Sequence, residues 1–574
     1  MCARVRVVQL CRPDNSPETT MSTSDGTQAS THPGGETTSI WHGTCDVPKY
    51  PKLTKSGTTE VCVVGAGIAG LSVGYHLARA GKKVTVLDDG PIGGGETGRT
   101  TAHLTYAMDD RIHALESVHG AEGVRMIVES HAAAINRVQQ IAQLEDIDCD
   151  FMRVDGYLFP RTPGQGGELE REFEAAHRAG LSDLALVDRA PIPGFETGTA
   201  LRFPGQASFH PLKFLVGLAD VIVNKYGGEI FCDSHVEGVE GGTPCNVKVA
   251  GGVQLTASCV VVCTNASISD YVQTHMKMSP YRTFVVALAV PRGSVDNALY
   301  WDTGHPYHYV RLAALGSRLS ASEGREPQAE SGTPTKGETI YDALIVGGED
   351  HRVGSDSHAD ERFDSLVRWA RERWPQAKDV VYKWSGQVLE PNDWVSYTGP
   401  NPDGAENVFM HSGDSGQGMT HGVIAGMLLS DLVLGKENPW ATLYDPKRVS
   451  LKAPSIGEAL KHNAEVAMDM VKGYLKPDIK SVDDIKPGEG AVIRRGMHKV
   501  AVYKSEQGEV IEKSAVCTHL KCIVEWNGTE KSWDCPCHGS RFAPSGEVLN
   551  GPAISALEDA EPAESSRSSR KAKA

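Results

Sequence analysis

Cys517-Thr518-His519 and Cys535-Pro536-Cys537-His538 give C-x-H, fifteen residues, then C-x-x-H. Two short loops, each offering one thiolate and one imidazole, meet the needs of a mixed-ligand [2Fe–2S] centre, with two Cys on one iron and two His on the other. Zinc also takes Cys₂His₂, but a zinc finger pairs Cys with Cys and His with His along the chain, so the mixed order favours iron–sulfur. Far upstream, Gly65, Gly67 and Gly70 form G-x-G-x-x-G. The first glycine permits a tight turn, the second lets backbone approach a pyrophosphate, and the third allows close helix–strand packing. A helix opening at that point turns N–H groups and a partial positive charge toward phosphates. Asp88, 18 residues past Gly70, stands where a carboxylate would bind ribose hydroxyls.

The elements that must position these residues are legible around them. TEVCVVGAGIAGLSVGYHLARAGKKVTVLDD reads as a buried strand, a glycine turn, an amphipathic helix and a second strand ending at Asp88. Helical spacing is predicted near 121–145, 361–373 and 422–434, with strand-like segments such as ASCVVVCTNA, TFVVALAV, YHYVRLA and DALIVGG between them. Residues 317–338 are rich in Ser, Gly, Glu and Pro and read as a flexible surface insertion. A linker helix is predicted over 455–477, ended by Lys476-Pro477. Beyond it, period-two alternation with turns at Arg495-Gly496 and Gln507-Gly508 predicts a small all-β unit carrying the Cys/His loops. The division is therefore 1–40 disordered leader, 41–454 oxidoreductase domain, 455–477 linker helix, 478–560 cluster domain and 561–574 basic disordered tail.

Composition narrows the partners. The 574 residues hold 57 Lys+Arg against 73 Asp+Glu, a net charge of −16, which argues against nucleic acid or an anionic membrane surface. No apolar run approaches the roughly 20 residues of a membrane-spanning helix. Nine of the thirteen cysteines are scattered from Cys2 to Cys263 and the last four fall within 21 residues. Such usage reads as intracellular thiols plus one metal site, and a cytoplasmic location is expected. The Arg-bearing, acid-free start MCARVRVVQLC also fits a mitochondrial presequence, and Met21 is an equal candidate for the true start.

Further motifs carry a resemblance. GPIGGGETGRTTAHLT (90–105) resembles the segment that runs along the flavin in FAD-dependent amine oxidases of the D-amino-acid/glycine oxidase superfamily, which implies cofactor contacts from Arg99, Thr100 and Thr101. NVFMHSGDSGQGMTHGVIAGMLLSDLVLG (407–435) resembles that superfamily's C-terminal flavin motif, with Gly413 and Gly418 facing the ring. HVEGVE around Val236 and CTNA around Asn265 resemble the segments that touch the adenosine half. The resemblance implies a Rossmann-like, glutathione-reductase-type α/β FAD domain with an interleaved α+β substrate domain. Thr100 stands where His-linked relatives carry their histidine, so the FAD is expected to be non-covalent.

CTHLKC and CPCHGSRF resemble the Rieske domains of cytochrome bc-type complexes. The resemblance implies Cys517, His519, Cys535 and His538 as cluster ligands and a Cys522–Cys537 disulfide between the two loops. It also implies a proline loop at Gly551-Pro552 and a hydroxyl from Ser540 to a cluster sulfur. Phe542 stands where high-potential members carry a Tyr, which implies a lower potential here.

The whole arrangement, over about residues 40–558 apart from the 317–338 insertion, resembles a family of FAD-dependent oxidoreductases with C-terminal Rieske domains. FAD takes two electrons from an organic donor and a Rieske cluster passes one at a time, so the pairing implies a dehydrogenase of an amine, amino acid or similar small molecule with an external one-electron acceptor. An NAD(P)H-dependent reductase is the rival, weakened by the lack of a second Gly-rich βαβ unit. A non-enzymatic electron-transfer or redox-sensing protein is the third reading. Arg311 in PYHYVRL matches a strand where glycine-oxidase-like members carry a substrate-binding Arg, while the further Arg after W-x-G is missing at Trp384-Ser385-Gly386. Tyr307, His308, Asp350 and His351 are additional polar candidates.

Overall fold

The apolar string ahead of the glycine turn forms the strand Gly57–Val64, whose last four residues are all buried. A strand covered on both faces in this way belongs in a parallel sheet. It pairs in parallel with Val84–Leu87 on one side and Val253–Val262 on the other. The main path of this eight-stranded sheet is Tyr397–Pro400, Val408–Ser412, Val253–Val262, Gly57–Val64, Val84–Leu87, Glu229–Phe231, with Cys245–Val249 also paired to Val253–Val262 and Val236–Glu240 to Cys245–Val249. These contacts come from a computed structural model. It describes residues 35–560 except 163, 165–166, 270–272, 316–317, 321–327, 331–339, 355–358, 450–452 and 476–480.

Chain segments that leave this sheet build a second, nine-stranded one. Its path runs from Val380–Pro391 through Met278–Pro291, Tyr341–Arg352, His308–Ala314, Leu299–Asp302, Met152–Phe159 and Ala200–Ser208 to His103–Leu104. The chain returns to the first sheet at Glu229–Phe231, Val253–Val262 and Val408–Ser412, so the two units are interleaved, as the glutathione-reductase-type reading expects. The helix Ile68–Arg79 covers the first sheet and packs on the helix Gly418–Val433. That approach needs small residues: a Cβ on Gly422 would lie 2.6 Å from Ile68 Cγ2, and one on Gly426 2.5 Å from Ser72 Cβ.

The helix predicted at 121–145 is observed as Ile112–Leu144, two helical segments meeting at a kink where Gly120 has φ 73°. The linker helix spans Ala453–Leu475. After it come a three-stranded sheet (Glu489–Arg495, His498–Lys504, Val510–Ser514) and a four-stranded one (Glu525–Asn527, Ser532–Asp534, Arg541–Phe542, Val548–Asn550). This is the expected all-β unit.

One boundary is corrected. Residues 35–40, assigned to a disordered leader, are packed: Ser39 and Ile40 are fully buried, and Thr37 bonds the Glu530 carboxylate through its N–H (3.0 Å) and hydroxyl (2.6 Å). The polar composition of the segment concealed it, because its partners lie some 490 residues away. Residues 1–34 and 561–574 lie outside the described residues, as does most of the 317–338 insertion, whose described parts pair as Arg318–Ser320 with Gln328–Glu330.

Candidate functional site

A single cavity of about 760 Å³ runs from the glycine turn to the second sheet. Gly65, Gly67, Asp88, Arg99, Thr100, Thr101, Val236 and Gly418 all contribute to its lining. The turn is built for close approach. A Cβ on Gly70 would lie 1.8 Å from the Gly65 carbonyl oxygen, and one on Gly65 2.3 Å from the Cys263 carbonyl oxygen. Asp88 sits at the end of its strand, accepting from Ala66 N–H (2.5 Å) and Gly90 N–H (2.8 Å). Burial, with Asp89 alongside, pushes its carboxyl up to about 8 against the pull of those two N–H groups.

At the other end the loop before the helix Gly418–Val433 is held from several sides. Ser412 Oγ donates to Asn265 O (2.5 Å), His411 Nε2 lies 3.1 Å from Asp414, and Gly413, with φ 77°, packs on Met278 and Pro391. Facing it are Tyr309 on the second sheet, Tyr307 just ahead of the same strand, with ring centroids 5.4 Å apart, and Asp109 in a turn, which accepts the Tyr307 hydroxyl at 2.7 Å. Asp350 lies beside Thr283, whose hydroxyl bonds that of Tyr309.

Strand alternation sorts the remaining candidates. Tyr307 and Asp350 line the cavity, whereas their neighbours His308 and His351 point to the opposite face. There His308 pairs with Asp302 (2.9 Å) and stacks on Trp369, and His351 stacks on Phe284. Arg311 does not face the cavity either. Its guanidinium donates to the carbonyls of Ala102 (2.6 Å), Phe209 (2.9 Å) and Leu312 (3.0 Å) and lies over the Trp41 ring, so it is a buttress of the fold and not a carboxylate clamp.

The Cys/His loops gather at the tip of the β unit. Cys517 and Cys535 are near enough to share a hydrogen bond, which together with the N–H groups of His519 and Leu520 and the Ser540 hydroxyl lowers the Cys517 thiol to about 7. The His519 and His538 rings stand 5.1 Å apart, edge to face. Cys522 and Cys537 form the disulfide that the resemblance implied. Two thiols and two imidazoles converging, with hydroxyl and amide donors aimed at sulfur, suit a Rieske cluster.

This tip is seated on the flavin-type domain. His519 lies 5.2 Å, ring to ring, from His275, and the Ile554 carbonyl meets His235 Nε2 at 3.2 Å. Val548–Gly551 and Ala553 line the same cavity as the glycine turn. Beside it is a buried charge cluster that sequence reasoning missed. The fully buried Glu530 carboxylate accepts from Arg99 (3.1 Å) and Ser385 (2.6 Å), and Arg282 reaches Asp534 at 2.8 Å. Arg541 lies between Asp534 (3.4 Å) and Glu96 (3.6 Å). Arg99 thus lines the cavity while its guanidinium holds the cluster domain. No local pattern announces such pairs.

Residues 60–432 match the FAD dependent oxidoreductase family, and residues 476–561 match the Rieske [2Fe-2S] domain. The chain belongs to the FAD-dependent oxidoreductases. Its cofactors are FAD and a Rieske cluster. The oxidoreductase is 30% identical over 520 residues to the Rieske 2Fe-2S iron–sulfur protein YhfW of Bacillus subtilis, covering 90% of this chain and 96% of that one. It is 28% identical to gamma-glutamylputrescine oxidoreductase of Escherichia coli, over 67% of this chain and 86% of the relative. Glycine oxidase from Geobacillus kaustophilus shares its fold, with a TM-score of 0.54, 17% identity, 69% of this chain and 100% of that one. Among the described residues, no helix is long and apolar enough to cross a membrane.

Proposed function

We propose that the oxidoreductase is a dehydrogenase that takes electrons from a small organic donor such as an amine or amino acid and passes them through its own Rieske domain to an external one-electron acceptor. The observation that carries this reading is the shared cavity: the Val548–Ala553 segment of the cluster domain walls the space that the glycine turn opens into. Bound FAD supplies two-electron acceptance from the donor and single-electron release, and the cluster one-electron transfer.

In this reading Gly65, Gly67 and Gly70 and the N–H groups opening the helix Ile68–Arg79 hold the pyrophosphate, and Asp88 turns an oxygen to the ribose. Thr100, Thr101 and Gly418 border the ring, Gly413 turns the loop that leads to Gly418, and Val236 borders the adenosine half. Cys517 and Cys535 hold one iron, His519 and His538 the other, and Ser540 bonds the Cys517 sulfur. The buried tip excludes water from the path between the two groups.

Anaerobic titration tests the direction of flow. An organic donor should bleach the flavin, after which the reduced-cluster EPR signal appears. Bleaching by NADH or NADPH alone would make the protein a reductase feeding its cluster. Two further outcomes are expected. Acid precipitation should release all the yellow colour to the supernatant; a yellow pellet would mean a covalent flavin. Phe542, fully buried on the cluster side, should raise the cluster's midpoint potential when changed to Tyr, because a hydrogen bond to sulfur favours the reduced state; an unmoved potential would remove the argument.

A further inference from the structure

The end of the cavity beside Gly416 and Gln417 is lined by more carboxylates than guanidinium groups. Asp109, Asp110, Glu168, Asp350 and Glu390 all contribute. The Lys and Arg side chains lining the cavity among the described residues are Arg99, Arg111 and Lys461. Arg99 is bound to Glu530 at 3.1 Å. Arg111 pairs with Glu168 at 3.3 Å and donates to the Asp109 and Asp302 carbonyls. Lys461 comes from the linker helix. His103, which could add positive charge, is kept neutral, since burial and Arg311 lower it to about 3.

Two features single out this end as a seat for a ligand and not merely an acidic surface. Asp350 Oδ1 is buried with no hydrogen-bond partner, an expensive state for a carboxylate oxygen unless something polar meets it. The walls between the acids are aromatic. Tyr307 and Tyr309 stand 5.4 Å apart, Tyr309 is 6.0 Å from His103, and Trp301 is 5.8 Å from His103. Aromatic faces combined with carboxylates are the recognition chemistry of organic ammonium ions. The acids are also tuned for it. Burial raises both acids, Asp109 to about 6 against the Tyr307 hydroxyl, Arg111 and Gln417, and Asp350 to about 7 against the Thr283 hydroxyl, so a cation seated beside them is what would favour their charged forms.

We infer that this pocket binds the donor as an organic ammonium ion, held by Asp109 and Asp350 against Tyr307, Tyr309 and Trp301, and that it does not recognise a carboxylate beside the reacting carbon. The inference rests on the dehydrogenase reading above and names its substrate class: primary or secondary amines, not α-amino acids. Arg311, the residue that would have favoured a carboxylate, is spent on backbone carbonyls.

Non-oxidisable probes test the seat apart from the chemistry. Tetramethylammonium, trimethylglycine (the same cation with a carboxylate) and a neutral tert-butyl alcohol are titrated into the FAD-loaded protein, read by the flavin's visible spectrum and by calorimetry. Tetramethylammonium is expected to bind roughly tenfold or more tightly than either of the others, since its ion and cation–π contacts, made with no N–H to donate, are worth about that much. Equal or tighter binding of trimethylglycine or of the alcohol would overturn the inference. Asp350→Asn, and independently Asp109→Asn, should each weaken the cation by roughly tenfold to a hundredfold while the flavin spectrum is retained; an unchanged affinity in both would also overturn it. The two readings fail separately. Cation binding without bleaching by any amine keeps the ammonium seat and removes the dehydrogenase. Bleaching by an amino acid with no cation binding removes the ammonium seat and keeps the dehydrogenase.

Discussion

Changing Glu530 to Ala is expected to free the cluster domain from the flavin domain while leaving the donor's reduction of the flavin intact. Glu530 is the point where three parts of the chain meet: it accepts from Arg99, from Ser385 and from both the N–H and the hydroxyl of Thr37. Removing it leaves Arg99 buried without its paired carboxylate, beside Arg282 and Arg541. Breaking a buried pair by deleting one partner costs about 3–5 kcal/mol, far more than losing an exposed pair such as Arg125–Glu129. Melting should therefore fall by several degrees, and the linker helix Ala453–Leu475 should become a site of proteolytic cutting. Rapid-freeze EPR should show the cluster reduced much more slowly than the flavin. Melting and cluster reduction both equal to wild type would mean that the charge cluster does not hold the domains together.

The same cluster sets a pH limit. Burial alone would raise Glu530, but Arg99, Arg282 and Arg541 outweigh it and hold the carboxyl below its ordinary 4.5. Asp534 is likewise held below 3.8 by Arg282 and Arg541 against the effect of burial. A carboxylate depressed in the folded state contributes stability above its unfolded value and loses it as pH falls through the folded one. Domain docking should thus persist across neutral pH and fail only in acid below those ordinary values.

Much of this molecule was legible because its chemistry is local in sequence. The glycine turn, the strand before it and the acid after it lie within Gly57–Asp88, and the cluster loops lie within Cys517–His538. Each is a short segment whose residue types are dictated by a group it must touch. The substrate end was only half legible. Tyr307 and Asp350 were nominated, but so were His308 and His351, and only strand alternation in the folded sheets separates the two pairs. Tyr309 was findable as the residue two along from Tyr307, where a strand-like run places both on one face. Asp109 carried no signal, since its role depends on a hydroxyl 198 positions away. The interdomain charge cluster was invisible for the same reason: Arg99 and Glu530 are separated by 431 positions. Motif resemblance even drew Arg99 toward the cofactor, a reading that the geometry qualifies by giving its guanidinium to Glu530.

A graded series of glycine replacements should show where backbone, and not side chain, makes the flavin site. In Gly70→Ala the new methyl would lie 1.8 Å from the Gly65 carbonyl oxygen, with the Gly65 carbonyl carbon at 2.9 Å and Val63 Cγ1 at 3.4 Å. No rotamer relieves a clash with backbone, so the helix must lift from the strand and the turn must open. The overpacking cost is about 1–3 kcal/mol or more, and it falls on the geometry that points N–H groups at the pyrophosphate. Flavin per chain should drop by roughly tenfold at matched free FAD, the equivalent of about 1.4 kcal/mol. In Gly67→Ala the first obstacle is Thr97 Oγ1 at 2.9 Å, a hydroxyl that also accepts the Ile68 N–H at 3.1 Å. That side chain can rotate at the loss of one bond, so an intermediate flavin content is expected. Gly81→Ala meets nothing within 4 Å but carries φ 85°, so it should lower the melting temperature through backbone strain and leave flavin content unchanged. The order of flavin retention, Gly81→Ala above Gly67→Ala above Gly70→Ala, follows from what each new methyl would touch. Full flavin content in Gly70→Ala would mean that the pyrophosphate is not held at this turn.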